Sequence, residues 1–283
     1  MALGSRLEIQ SPRSMKRATQ FAKATLKGTL SLLYSTVNTL YRKQNVAMFH
    51  TGRCGSQVLG DMLNQHPMIF WAGEIFQQHM KDKRKKAPNF VERTIDASRC
   101  TKASGIYGFE TKHLPQLHFA EWCINMALGD YVSLLRKLDF QKFIILHREN
   151  YLRRTISVEV LGKTKAPHSR SEVRAVTKVS IDIDGSNGRI PLLDLFHSLD
   201  EHYGMLKDLV APEEILFLRY EQDILEDPRK AYRKICQFLR IEDAHPTVDL
   251  KRTNPFAYEE LIENLDEVRA ALRNTKYRWM LDD

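Results

Sequence analysis

Short hydrophobic runs alternate along the chain with longer segments whose hydrophobic residues recur at helical spacing. Runs of strand length are found at five places: 46–49, 68–71, 105–109, 142–146 and 215–218. The segment after the first run carries Leu59, Met62 and Leu63 on one helical face and ends at His66-Pro67. Strands that alternate with helices are typical of α/β domains, so we predict a single domain with a central, mostly parallel sheet flanked by helices.

Local signals also mark helix ends and turns. Asp227-Pro228 predicts a helix start, with the aspartate as N-cap and the proline at the first helical position. The residues from Gly185 to Gly188 predict a turn inside the polar stretch 162–188, and the charged run 81–86 predicts a second solvated loop.

The composition is that of a globular protein, but the charge is unevenly distributed. The chain has 283 residues, 43% of them hydrophobic, with 43 lysines and arginines against 35 acidic residues. Residues 1–44 hold eight basic residues and one acidic residue, whereas residues 45–283 hold 35 basic and 34 acidic residues. We therefore divide the chain into a basic leader, 1–44, and a nearly neutral domain, 45–283.

Within the leader, residues 15–41 show the spacing of an amphipathic helix. Its longest uncharged stretch, 28–41, is too short and too polar to cross a bilayer, and the leader lacks the pattern of a secretory signal. Two interpretations stay open: the helix packs on the outside of the domain, or it makes a peripheral contact with anionic lipid.

The four cysteines are widely spaced, without a CxxC pair, which suits a reducing compartment and predicts a cytoplasmic protein without a zinc ribbon. Beyond the leader there is no basic stripe with interleaved aromatic residues, so we predict no nucleic-acid partner. The sequence does not indicate an oligomeric state.

The turn after the first predicted strand has the residues of an anion-binding loop. Gly52 and Gly55 allow a tight turn whose N–H groups, through Gln57, face one anion at a helix start. Arg53 adds a permanent charge and Ser56 a hydroxyl, while Cys54 is interpreted as a small residue that fills the loop. The loop lacks the lysine-hydroxyl pair of nucleoside-triphosphate loops and the arginine of a phosphatase cradle, and its glycines fail the dinucleotide spacing.

Four blocks of sequence follow one another in a recognisable order. They are an R-x-G-S loop with later His-Pro and Gly-Glu pairs (53–56, 66–67, 73–74), a strand ending in arginine before a helix with serine (143–157), a Tyr-Glu pair with later Asp-Pro and Phe-Leu pairs (220–221, 227–228, 238–239), and a C-terminal tail (250–277). Together they resemble the sulfotransferases that use 3′-phosphoadenosine 5′-phosphosulfate (PAPS). The tail, and Arg53 where many members have lysine, are similar to the bacterial carbohydrate and small-molecule branch.

The resemblance implies a P-loop-like sulfotransferase fold with PAPS as the donor. It assigns Arg148 and Ser157 to the 3′-phosphate, with the loop Arg53, Cys54, Gly55, Ser56 and Gln57 around the reacting end. Ser157 follows Arg148 by nine residues, where many members show eight, so Thr155 stays a competitor. Because two such groups hold a doubly charged phosphate poorly, we expect Lys251 and Arg252 to close over the nucleotide, although they also fit an exposed basic pair.

The general base is assigned by the same resemblance to Glu74, in the Gly-Glu position. His113 is a second catalytic candidate because its ordinary pKa suits proton transfer, and Glu110, Lys112 and His50 are further rivals at strand ends. Sulfuryl transfer needs charge stabilisation more than a metal, and no cluster of metal ligands is seen in the sequence, so we expect no metal.

The predicted function is transfer of a sulfuryl group from PAPS to a hydroxyl, or less favourably an amine, of a sugar, glycolipid or small metabolite. Two alternatives stay open: a catalytically inactive nucleotide-binding scaffold at a membrane surface, and a small-molecule kinase that depends on magnesium.

Overall fold

A computed structural model describes residues 41–84, 86–165, 176–250 and 255–282. Five parallel strands form one sheet in the order β2-β3-β1-β4-β5. Their bounds are Gln44–His50 (β1), Ile69–Trp71 (β2), Ile106–Lys112 (β3), Phe140–His147 (β4) and Ile215–Arg219 (β5). The predicted α/β class, parallel sheet and five strand positions are therefore confirmed, with β3 running three residues further than predicted.

Helices lie between the strands and after the last one. In chain order they are Ser56–Asn64 (α1), Phe90–Arg99 (α2), Leu128–Lys137 (α3), Tyr151–Thr164 (α4), Leu192–Leu209 (α5), Arg229–Leu239 (α6), Tyr258–Leu261 (α7) and Leu265–Leu272 (α8). The predicted leader helix, 15–41, lies outside the described residues except for its last residue, as do Lys251 and Arg252. Within the described part of the chain, no helix is both long and apolar enough to span a bilayer.

The sheet is buried on both faces because its strands send alternate side chains to two hydrophobic clusters. Along β1, Ala47 and Phe49 join a large cluster that includes residues of α3 and α5. Val46 and Met48 point the other way, into a cluster with residues of α1 and α6. A continuous hydrophobic run such as 46–49 is what a strand with two buried faces requires.

The local predictions are confirmed with small shifts. Helix α6 begins at Arg229, one residue later than expected, and Asp227 Oδ1 accepts a hydrogen bond from the Arg229 N–H at 3.0 Å. The turn at Gly185–Gly188 is closed by a hydrogen bond from Gly188 N–H to the Gly185 carbonyl. Because all five strands are parallel, the residues that follow them gather at one edge of the sheet, where ligands of open α/β sheets bind.

Candidate active site

A cleft of about 950 Å³ opens at the carboxyl edge of the sheet. Its walls come from the loop after β1, the first two turns of α1, the segment after β2, the end of β3, the connection between β4 and α4, the middle of α4, and the segment after β5. The polar lining residues include Arg53, Ser56, Gln57, Asp61, Asn64, Glu74, Gln77, Glu110, Lys112, Arg148, Ser157, Tyr220 and Glu226. This volume suits a ligand the size of a nucleotide together with a small second molecule.

The loop between β1 and α1 adopts the turn that the glycines predict. Gly52 and Gly55 have φ angles of 78° and 84°, and Arg53 between them also lies in the left-handed region, at φ 58°. A non-glycine residue in this region costs roughly 1 kcal/mol and is retained where the surrounding structure requires it. The Gly52 N–H donates to His50 Nδ1 at 3.0 Å, which holds the loop against the end of β1.

Arg53 connects the loop to helix α4. Its Nε donates to Ser157 Oγ at 2.8 Å, and the Arg53 carbonyl accepts from the Arg148 guanidinium at 2.8 Å. The Thr155 hydroxyl instead donates to the Tyr151 carbonyl within the helix. The structure therefore brings Ser157, and not Thr155, to the loop beside Arg53 and Arg148.

Tyr220 and Glu221, in the segment after β5, support the Arg148 side of the cleft. The Arg148 guanidinium lies 4.5 Å from the centre of the Tyr220 ring, and its buried Nε has no hydrogen-bond partner among the described residues. Glu221 accepts from the backbone N–H groups of Glu149 and Asn150 at 2.9 and 3.0 Å. Glu221 therefore fixes the segment that carries Arg148.

The opposite wall carries a carboxylate paired with an ammonium group. Glu74 Oε2 lies 2.6 Å from Lys112 Nζ, which also donates to Gln77 Oε1 at 3.0 Å. His118 Nε2 is 3.9 Å from the same Glu74 oxygen. The Glu74 side chain is one-quarter exposed and faces the cleft, so a bound molecule can reach it.

Glu110 lies deeper, beneath the loop. Its carboxylate accepts from the Trp71 indole N–H at 2.7 Å and lies 3.2 Å from His50 Nε2. Burial raises the pKa of Glu110, but hydrogen bonds from His50, Trp71 and Ser56 outweigh burial and lower it. Glu110 is therefore an ionised group that joins the end of β1 to the start of α1.

Two predicted site residues do not line the cleft. The His113 ring is buried, lies edge-on to Tyr203 with ring centres 5.0 Å apart, and contacts Phe49. Burial holds the pKa of His113 well below its ordinary value, so its ring is neutral. The Cys54 side chain is fully buried in the cluster on the α1 side of the sheet, as expected for a residue that fills the loop.

One group of side chains in the described residues has the spacing of a metal site. His50, Glu74 and Glu110 offer ligand atoms within 4.8 Å of one another. Two contacts already satisfy this group. Lys112 Nζ lies on Glu74, and His50 Nδ1 accepts from the Gly52 N–H, so the ring holds a proton on Nε2, where it faces Glu110. An Nε2 that holds a proton is not a metal ligand, so the expectation that no metal is needed stays a prediction.

The fold is similar to that of solved sulfotransferase structures. A sulfotransferase from Alicyclobacillus acidocaldarius superimposes with a TM-score of 0.51 at 15% sequence identity, covering 85% of this chain and 96% of that one. The sulfotransferase domain of the Synechococcus PCC 7002 olefin synthase gives a TM-score of 0.40 at 16% identity, covering 71% and 74%. No protein-family model and no curated protein sequence matches the chain. The first likeness shows that the chain has the sulfotransferase fold, which confirms the expected architecture.

Proposed function

We propose that this protein is a sulfotransferase that uses PAPS and transfers its sulfuryl group to a hydroxyl of a sugar, glycolipid or small metabolite. The observation that carries the proposal is the linkage of the anion loop to helix α4. Arg53, Ser157 and Arg148 are joined by two hydrogen bonds of 2.8 Å on one side of a cleft, and a carboxylate faces them from the other side.

The donor side offers positive groups for the two anionic ends of PAPS. The N–H groups of Gly55, Ser56 and Gln57 at the start of α1 and the Arg53 side chain suit the 5′-phosphosulfate, where charge develops on the bridging oxygen as the sulfur–oxygen bond breaks. The unpartnered Nε of Arg148 and the Ser157 hydroxyl suit the 3′-phosphate. Lys251 and Arg252 remain proposed contacts to the same nucleotide.

On the acceptor side, Glu74 is the proposed general base. The described contacts of its carboxylate go through Oε2, to Lys112 and His118, which leaves Oε1 for a substrate hydroxyl. The acceptor oxygen forms a bond to sulfur, the bond between sulfur and the 5′-phosphate oxygen breaks, and the acceptor proton moves to Glu74. The products are a sulfated acceptor and adenosine 3′,5′-bisphosphate. His113 is not proposed as a base because its ring is outside the cleft.

The proposal is tested by donor consumption with a panel of sugars, glycolipids, alcohols and amines. We expect Arg53→Ala and Arg148→Ala to abolish turnover and to weaken binding of adenosine 3′,5′-bisphosphate, with the circular dichroism spectrum retained. Glu74→Gln should lose turnover and keep bisphosphate binding. Normal turnover by Glu74→Gln would remove that residue as the base.

The matched control is Glu226→Gln, which also removes a carboxylate from the cleft lining but lies on the segment after β5, where its partner is Lys230. It should keep turnover. A wild-type protein that binds the bisphosphate yet consumes no donor with any acceptor would instead support the inactive scaffold.

A further inference from the structure

One arginine of helix α4, Arg154, is buried beneath the anion loop. Arg154 is 6% exposed, although its neighbour Ser157, one helical turn further along the same helix, lines the cleft. Its Nε donates to the Thr51 hydroxyl at 3.1 Å, and a terminal nitrogen donates to the Thr51 carbonyl at 2.6 Å. Thr51 is the residue that follows β1, so Arg154 holds the first residue of the loop.

The partners of Arg154 leave its charge uncompensated. Its hydrogen bonds among the described residues go to Thr51, and no salt bridge joins it to a carboxylate there. The Thr51 hydroxyl in turn lies 3.2 Å from the Tyr203 hydroxyl, which donates to the Leu146 carbonyl at 3.0 Å. The groups that follow Arg154 in this chain of hydrogen bonds, from Thr51, Tyr203 and Leu146, are all neutral.

A buried cation with only neutral partners is unfavourable, because its lost hydration is not returned by an opposite charge. Burial lowers the pKa of Arg154, and this effect outweighs the neighbouring Tyr203 and Cys54 side chains, which raise it; the guanidinium of Arg148 lowers it as well. An arginine nevertheless keeps its proton at neutral pH, so the positive charge persists. Such an arrangement costs stability in the free protein, and it is relieved when an anion binds nearby.

We infer that Arg154 is a positioning residue whose missing counter-charge is the anionic donor bound in the loop, which it attracts through the loop without touching it. The inference rests on the proposed function and adds a third arginine, behind Arg53 and Arg148, to the donor side. Because Arg154 lies in the low-dielectric interior, its electric field at the loop is screened less than the field of an exposed lysine or arginine.

The experiment compares Arg154→Met, Arg154→Gln and Arg154→Lys with the wild-type chain. Affinity for adenosine 3′,5′-bisphosphate and for inorganic sulfate is measured by calorimetry, and the free protein's thermal midpoint is measured separately. The matched control is Lys163→Met, which removes one positive charge from the exposed end of the same helix, where the lysine side chain is 51% exposed and paired with Glu263.

If the inference is right, the methionine and glutamine variants bind the bisphosphate about tenfold or more weakly, and the lysine variant recovers most of that loss. The thermal midpoint of free Arg154→Met stays equal to that of the wild type or rises, because an uncompensated buried charge has been removed. Lys163→Met should bind within about twofold of the wild type, since an exposed charge is screened.

If Arg154 only stabilises the fold, the result is different: all three variants lose thermal stability and affinity in parallel. That result, or unchanged affinity in Arg154→Gln, overturns the inference. If sulfate binds the wild type more tightly than it binds Arg154→Met, but the bisphosphate does not bind, the nucleotide assignment fails and the role of Arg154 stands. If the wild type binds neither probe, both proposals fail.

Discussion

Gly55 offers a direct test of how tightly the donor side is packed. Its φ angle of 84° favours glycine, and a Cβ at this position would lie 2.9 Å from Ile224 Cγ2 and 3.2 Å from two ring atoms of Tyr220. For Gly55→Ala we expect roughly 1–2 kcal/mol of lost stability from the backbone conformation. We expect about 1–3 kcal/mol more from the steric overlap. Both neighbours belong to a packed segment, so they have little room to move.

Gly188→Ala separates the two contributions. Gly188 has a φ angle of 74°, and no atom of the described residues lies within 4 Å of the added Cβ, so this variant should show the backbone cost alone. Urea unfolding followed by tryptophan fluorescence gives both free energies, and the difference between the two variants measures the overlap.

The same overlap should weaken bisphosphate binding in Gly55→Ala, because a displaced Tyr220 no longer supports the Arg148 guanidinium. Equal losses of stability in the two alanine variants would show that the loop has room, and would refute the steric argument. A large loss of stability with unchanged bisphosphate affinity would refute the connection from Tyr220 to Arg148.

Three further predictions concern protons, metals and the leader. Burial, followed by the charge of Lys112, lowers the pKa of His118 from 6.5 to about 2, so the unfolded chain alone takes up this proton below pH 6.5. The free energy of unfolding should therefore fall by about 1.6 kcal/mol in total on acidification from pH 6.5 to 5 because of this residue, and His118→Asn should remove that part of the pH dependence measured by urea unfolding. Donor consumption should be unchanged by a chelator, whereas loss with EDTA and recovery with magnesium would favour a metal at His50, Glu74 and Glu110. Magnesium-dependent consumption of a nucleoside triphosphate would favour the kinase alternative. Deletion of residues 1–40 should abolish sedimentation with anionic liposomes if the leader touches lipid; if the full chain also fails to sediment, the lipid contact is refuted.

The central strands were predictable because their hydrophobic runs had to be buried on two faces. A run such as 46–49 has no polar position to offer solvent, so a central parallel strand is the structure that satisfies it. The anion loop was also predictable, since Gly52 and Gly55 stand where positive φ angles are needed. These features depend on residues close together in the chain.

The contacts that complete the site depend on residues far apart in the chain. Glu221 binds the N–H groups at the start of α4 across 72 and 71 residues, and no local pattern indicates that pairing. The choice of Ser157 over Thr155 depends on how α4 is rotated against the loop. An ordinary pKa was a poor guide to His113, because its position in the core decides its charge.

The burial of Arg154 could not be predicted from the sequence either, because Arg153 and Arg154 are adjacent in one helix and give the same local pattern. Arg153 reaches the Phe256 carbonyl and the Tyr258 ring in the C-terminal segment, whereas Arg154 reaches Thr51. Its distance of three residues from Ser157 was the one available signal, because residues so spaced share a helical face.

The order of strands in the sheet separates the residues on the two sides of the cleft. The loop after β1 stands at the centre, the arginines and Tyr220 stand on the side of β4 and β5, and Glu74 and Lys112 stand on the side of β2 and β3. In the proposed reaction, donor and acceptor are therefore handled by opposite halves of one sheet. If that reaction is right, a change in the segment after β2 would alter the acceptor side and leave intact the hydrogen bonds that join Arg53, Ser157 and Arg148.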